Sequence, residues 1–242
     1  PDAAQGSMSD LPIHEPFVLF GYLAGVTRRL ELVTSVLILP QRPTALVAKQ
    51  AAEIDVLSSG RLRLGAGVGW SSKEYQGLQA DFPTRGARMD EQIAVLRALW
   101  TQPVVTFHGR WHHIEAAGIN PLPVQRPIPL WIGGMSAAAL RRAARWGDGW
   151  MPLAPPNDET RARVEQLRAY LQEAGRAPQT FGIEAYLGSP HETPDSRAAQ
   201  AASWQTLGAT HLYASTLGVG CRSPQEHIDA LRRIHADISA TL

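Results

Sequence analysis

The chain has 242 residues, enough for one large domain or two small ones, and with 44% hydrophobic residues it can build a sizeable core. A formal net charge of +1 leaves no electrostatic footprint for nucleic acid or an anionic membrane, and no apolar run approaches the ~20 residues that cross a bilayer. The single cysteine, Cys221, excludes an internal disulfide. With no secretory segment visible, a reducing cytoplasm is the expected compartment; the chain opens on Pro1 rather than Met, so that argument carries little weight.

Residues 1–12 are polar and irregular and read as a loop. Residues 14–27 read as a helix with Phe17, Phe20, Leu23 and Ala24 on one face. The apolar, β-branched run 30–39 reads as the first strand, stopped by Pro40. A helix over 44–57 follows, closed by Ser58-Ser59-Gly60, and then a second strand over 61–67. Both strands read as buried. Helices are predicted at 72–78 and 86–100; in the second, Met89, Ile93, Leu96 and Trp100 form a helical stripe. Residues 104–114 alternate and turn at His108-Gly109, which predicts a small hairpin outside the main sheet, within an insertion over about 103–128. Four prolines between 121 and 129 make an extended connector.

The third strand is 130–133, and its helix, 137–146, has Ser136 as N-cap. A short fourth strand over 149–152 precedes a helix over 158–174 that ends on Gly175. Residues 181–187 read as the fifth strand, 195–207 as its helix, and 211–215 as the sixth strand. The last helix, 224–238, sets Ile228, Leu231, Ile234 and Ile238 on one face, and its His227 and His235 read as solvent-facing. Six alternations of strand and helix imply a parallel sheet, doubly wound or closed as a barrel. Six units are too few for an eight-unit barrel, so a chain that begins with a loop and a helix is expected to lack its first strands.

Gly65-Ala66-Gly67-Val68-Gly69-Trp70 follows the second strand. A dinucleotide fingerprint needs Gly or Ala at its sixth place, where this chain has Trp70. The glycines either make a tight turn or let a flat or charged ligand approach the backbone. Trp131-Ile132-Gly133-Gly134-Met135-Ser136 is a strand, a glycine turn and a capped helix start. The N–H groups at such a start attract phosphate, though a capped turn without a ligand reads equally well. Gly147-Asp148-Gly149-Trp150 reads as an ordinary connection with Asp148 as turn former. Thr34-Ser35-Val36 sets two hydroxyls in an apolar strand; they either bond nearby backbone or line a ligand face. His108, His112 and His113 cluster without a cysteine or a second ligand set, so no metal is expected. Neither a G-x-S-x-G elbow nor a P-loop is present.

Seven segments in order carry a resemblance: TSVLILPQRP from Thr34, AKQAAEIDVLSSGRLRLGAGVGW from Ala48, RGARMDEQIAVLRALWT from Arg85, FHGRWHHI from Phe107, PLPVQRPIPLWIGG from Pro121, AALRRAARWGDGW from Ala138 and SPQEHIDALRRI from Ser223. As an ordered set, running from about residue 11 to the C-terminus, they resemble the bacterial luciferase-like flavin-dependent family, and within it the coenzyme F420-dependent oxidoreductases. The resemblance implies an α/β fold, a TIM (β/α)8 barrel, here one domain over 1–242 with residues 30–39 as the third barrel strand and the first two strands lacking. It implies a non-proline cis peptide at Ser35 and Val36 behind the cofactor ring. Val68, Gly69 and Trp70 would lie by the ring or its side chain, and Gly133, Gly134, Met135 and Ser136 would hold the phosphate. Trp70 stands where sugar-phosphate dehydrogenases of the family carry a glutamate acid, so that substrate is not expected, and no catalytic acid or base is named.

The function implied is an oxidoreductase transferring a hydride between F420 and a small organic substrate. The alternatives are an FMN-dependent monooxygenase using FMNH2 and oxygen, and a non-catalytic paralogue or gene fragment. The expected partner is a small-molecule substrate, with no nucleic acid and no membrane, and a homodimer is left open.

Overall fold

The computed structural model describes residues 13–187, 193–217 and 220–239. In chain order the elements are α1 (Pro16–Val26), β1 (Leu32–Val33), β2 (Leu37–Ile38), α2 (Thr44–Ser58), β3 (Leu62–Gly67), α3 (Ser72–Gly77), α4 (Arg85–Thr101), β4 (Val105–His108), β5 (His113–Ala117), β6 (Leu130–Gly133), α5 (Ala137–Trp146), β7 (Gly149–Met151), α6 (Asp158–Glu173), β8 (Gly182–Tyr186), α7 (Pro194–Thr206), β9 (His211–Tyr213) and α8 (Pro224–Ser239). They fall into two units. The first holds the chain up to Thr34, then Leu39–Leu64 and Ser71–Pro129; the second holds Ser35–Ile38, Gly65–Trp70 and the chain from Leu130 onward.

In the first unit α2 packs between α1 and α4. Small residues on α2, Ala48, Ala51 and Ala52, are fully buried and let the helices approach. On α4 the predicted stripe of Met89, Ile93, Leu96 and Trp100 is buried, and the Trp100 indole N–H donates to Ala48 O at 3.1 Å. Burying each such side chain contributes roughly 1.5–3 kcal/mol. The chain leaves α2 through Ser59 at φ 59° and Gly60 at φ 80°. β4 and β5 form the expected antiparallel hairpin. The proline connector is fastened by Asp55, which accepts from Gln125 N at 2.8 Å and from its side-chain amide at 2.7 Å.

In the second unit the strand order is β2, the Gly65–Gly67 end of β3, β6, β7, β8 and β9, and β2 with β3, β6 with β7, β7 with β8 and β8 with β9 pair in parallel. Leu130, Ile132 and Ile183 are buried on the sheet, and Leu140, Ala143, Val164, Leu167 and Leu171 are buried on α5 and α6. Among the described residues no helix is long and apolar enough to cross a membrane.

Two expectations are corrected. Residues 30–39 are not one strand: Leu30 is exposed, and Thr34-Ser35-Val36 separates β1 from β2. Val33 pairs with Arg63 and Leu37 with Ala66, so four steps on one strand meet three on its partner. That single extra residue is a β-bulge, and the Ser35–Val36 peptide inside it is cis, as the resemblance implies. On α8, Ile228 and Leu231 are exposed while Ala230 and Ile234 are buried. The buried stripe is therefore rotated by about one residue from the expected one. It includes half-buried His227, whose Nδ1 lies 2.8 Å from Thr216 Oγ1.

Candidate functional site

A cavity of about 90 Å3 lies at the C-terminal ends of the parallel strands of the second unit. Ser35 and Val36 line it from the bulge, Gly133 from β6, Met151 from β7, Glu184 from β8 and Tyr213 from β9. Strand C-termini are where parallel α/β folds bind ligands, because loops and helix N-termini converge there. Two larger hollows lie elsewhere: about 420 Å3 against α6 and Ile183 in the second unit, and about 560 Å3 along Arg42, Arg88 and His112 in the first. Position relative to the strand ends, rather than volume, selects the small cavity.

Glycines shape its walls. Val36 sits between two of them: a Cβ on Gly67 would lie 2.8 Å from Val36 Cγ2, and one on Gly133 2.9 Å from Val36 Cγ1. One layer nearer the strand N-termini, the Trp131 indole lies against Gly149 and Gly182, where a Cβ would come within 2.3 and 2.2 Å of ring atoms. Trp131 also meets His211 edge-on, with ring centroids 5.0 Å apart. Met151 and Glu184 follow Gly149 and Gly182 by two residues, so they share that face of the sheet, one layer nearer the cavity.

The turn after β6 adjoins the cavity through Gly133. Gly134 takes φ +116°, a conformation suited to glycine. Ser136 Oγ accepts from Ala139 N at 3.2 Å, so the predicted N-cap is present. The cap satisfies one N–H, and the earlier N–H groups of a helix have no partner within it. The Trp150 indole N–H donates to Gly134 O at 2.8 Å and holds the turn in place. Asp148 does more than turn the chain, since its Oδ2 accepts from Leu130 N at 2.8 Å and fastens the start of β6.

Of the predicted contacts, Ser35, Val36 and Gly133 line the cavity and Gly134, Met135 and Ser136 form the adjoining turn. Val68, Gly69 and Trp70 do not line it, and Trp70 is 65% exposed. The sequence reading missed Glu184, Tyr186, Trp131 and Trp150. An acidic residue between Ile183 and Ala185 was the available signal, because a buried carboxylate is costly without a purpose. The glycines inside β7 and β8 likewise signalled a close approach.

The histidine cluster belongs to the first unit. Glu91 accepts from the backbone N–H groups of Arg110, Trp111 and His112, each at 2.8 Å. Glu91 Oε1 also lies 2.8 Å from His112 Nδ1, and His112 Nε2 lies 2.6 Å from Thr44 Oγ1. Burial alone would raise the Glu91 carboxyl, but bonds from the His112 ring and from those N–H groups outweigh it and hold the group below its ordinary value.

A model of the luciferase-like monooxygenases matches residues 2–235. The chain belongs to the luciferase-like monooxygenase family. A Mycobacterium tuberculosis protein without an assigned activity is 40% identical to it over 176 residues, which cover 73% of this chain and 60% of that protein. An FMNH2-dependent dimethylsulfone monooxygenase of Pseudomonas putida is 30% identical over 189 residues, covering 76% of this chain and 52% of that enzyme. The chain thus spans about 60% of the length of the first of these curated relatives and about half of the second. The solved coenzyme F420-dependent tetrahydromethanopterin reductase of Methanopyrus kandleri superposes with a TM-score of 0.79 at 14% identity, over 94% of this chain and 87% of that one. That likeness shows the luciferase-like, TIM-barrel-type fold. The family contains both F420-dependent and FMNH2-dependent members.

Proposed function

We propose that this chain is an oxidoreductase that holds reduced F420 against a small organic substrate. The observation that carries the reading is the continuity of the Ser35–Val36 bulge, Gly133 and the capped turn at one end of the parallel sheet. These residues fit such a cofactor. Val36, held between Gly67 and Gly133, offers a flat apolar wall. The turn at residues 133–136 offers backbone N–H groups at a helix start to a phosphate. When bound, F420 supplies the two-electron chemistry. The chain's own residues orient it, hold its phosphate and exclude water.

The second reading replaces F420 with FMNH2 and hydride transfer with oxygen-dependent monooxygenation; its support is the 30% identity to the Pseudomonas putida enzyme. Fluorescence titration of both cofactors against the protein separates them. Tighter binding of F420 is the expected result. Preference for FMN moves the chain to the second reading, and binding of neither leaves a non-catalytic relative.

A further inference from the structure

The cofactor reading leaves the hollow of about 560 Å3 in the first unit without a role. Its walls are residues 40–45, the turn after α3, one face of α4 and the hairpin, all parts of that unit. Arg42 and Arg88 line it, and among the described residues no aspartate or glutamate does. Arg42 is paired with Glu15 at 2.7 Å. Arg88 instead donates through Nη2 to two backbone carbonyls, Pro40 O at 2.8 Å and Asp81 O at 3.0 Å, bonds that hold it in place without a carboxylate. The acids bonded to lining residues are engaged, Glu91 by the hairpin N–H groups and Glu74 by the Gln41 amide at 3.2 Å. Apolar surface adjoins the charge. Leu78 lines the hollow while 57% exposed, together with Ile114 and buried Val95. Trp111 lines it too, with the Arg110 guanidinium 4.7 Å from its ring centroid. The walls are braced: the Gln92 amide donates to Leu39 O at 3.2 Å and to Arg42 O at 3.1 Å, and Trp111 N donates to Glu91 at 2.8 Å.

The volume lies within the range of small-molecule sites, ~300–1,000 Å3. A guanidinium without opposite charge selects an anion, and its planar fork suits a carboxylate. An indole and branched side chains favour a flat apolar body, and walls already held in place reduce the ordering that binding requires. We propose that this hollow is a second binding site, taking a small aromatic carboxylate with Arg88 as its counter-ion and Trp111 and Leu78 as its apolar wall. It shares no lining residue with the strand-end cavity, so it does not depend on which cofactor the chain uses. A neutral alcohol would keep the apolar contacts but lose the charge, and an amine would meet like charge.

Phenylacetate, 2-phenylethanol and 2-phenylethylamine share a ring and differ in charge. They are titrated by ligand-observed NMR at low ionic strength, where screening is weak, and at about pH 8, where an ordinary histidine is neutral. The wild-type protein is expected to bind phenylacetate about ten-fold more tightly than the alcohol and to show no binding of the amine. Arg88→Gln is expected to bring phenylacetate and the alcohol within about two-fold of each other. Exposed Leu78 places the site without touching the core: Leu78→Lys is expected to bind phenylacetate at least about ten-fold more tightly than Leu78→Glu. Should Arg88→Gln fail to fold, the Leu78 pair and the wild-type series decide alone. No preference for phenylacetate, no binding of any probe, a preference that survives in folded Arg88→Gln, or equal binding by the two Leu78 variants would overturn the proposal. So would loss of phenylacetate binding on adding F420 or FMN, which would put the acid in the cofactor site. Binding of phenylacetate as expected with no binding of either cofactor would support this site while defeating the oxidoreductase reading.

Discussion

The hairpin of the first unit and the strand ends of the second both concentrate polar side chains, and they use them in opposite ways. Glu91 receives three backbone N–H groups and an imidazole, and His112 passes the network on to Thr44, which also accepts from the Gln92 amide at 3.0 Å. A carboxylate so fully engaged has little capacity left for a ligand, and it organises a loop. At the strand ends, Glu184, Tyr186 and Tyr213 instead border a hollow, with glycines holding the backbone close to its walls. The contrast teaches that the same residue types can brace a loop or border a strand-end hollow, and that position relative to the strand ends tells the two apart. By that criterion the histidines around the hairpin are structural.

The largest expected effect breaks the first half of this comparison. Glu91→Ala orphans several donors at once, each costing ~1–3 kcal/mol where water cannot replace the partner. A loss of about 3 kcal/mol in thermal or urea unfolding is expected, with Glu91→Gln losing less because one acceptor oxygen remains. The Glu91 pKa is lowered in the folded protein. Its contribution is therefore complete above the unfolded carboxylate value near 4.5 and disappears as pH falls through the lower folded value. Unfolding measured from pH 6 downward should show wild type losing stability in that window, and Glu91→Ala losing less of it. Parallel pH profiles would detach the network from hairpin stability.

Next in size is Gly182→Ala. The new Cβ would fall 2.2 Å from the buried Trp131 ring, whereas one on Gly175 would meet nothing within 4 Å. Overpacking costs about 1–3 kcal/mol. Gly175 has φ +68°, so Ala there pays only for its backbone conformation, roughly 1 kcal/mol. Denaturant midpoints that rank the two variants the other way would show that the indole does not fix the layer beneath the cavity.

How legible these regions were in the sequence follows from how local their causes are. β3, β6 and the helices α2, α4 and α5 show in hydrophobic period and cap residues, which act over a few positions. The Gly133–Ser136 turn was readable for the same reason. The bulge was not, because apolar residues continue on both sides of Thr34-Ser35-Val36, and its extra residue shows only in pairing with β3. Glu91 was hidden because its partners lie 19 to 21 residues away. Glu184 and Trp131 took their meaning from neighbouring strands, which a linear pattern does not identify.

A smaller effect sharpens the second half of the comparison. Ser136→Ala removes the α5 cap at 3.2 Å and should lower stability by about 0.5–2 kcal/mol. If the turn holds a phosphate, the same variant also weakens cofactor binding, and inorganic phosphate competes with the cofactor less effectively against it than against wild type. A stability loss with unchanged cofactor affinity would reduce Ser136 to a cap.

The most direct test of the central claim, that the bulge and the turn after β6 form the cofactor surface, is the cofactor affinity of Gly133→Val, followed by fluorescence and compared with wild type. The first added carbon would lie 2.9 Å from Val36 Cγ1, displacing the wall and closing the approach to the turn. Cofactor affinity is expected to fall by about ten-fold or more, a change of at least ~1.4 kcal/mol, in a variant that still unfolds cooperatively. A folded Gly133→Val protein that binds cofactor as tightly as wild type would contradict it.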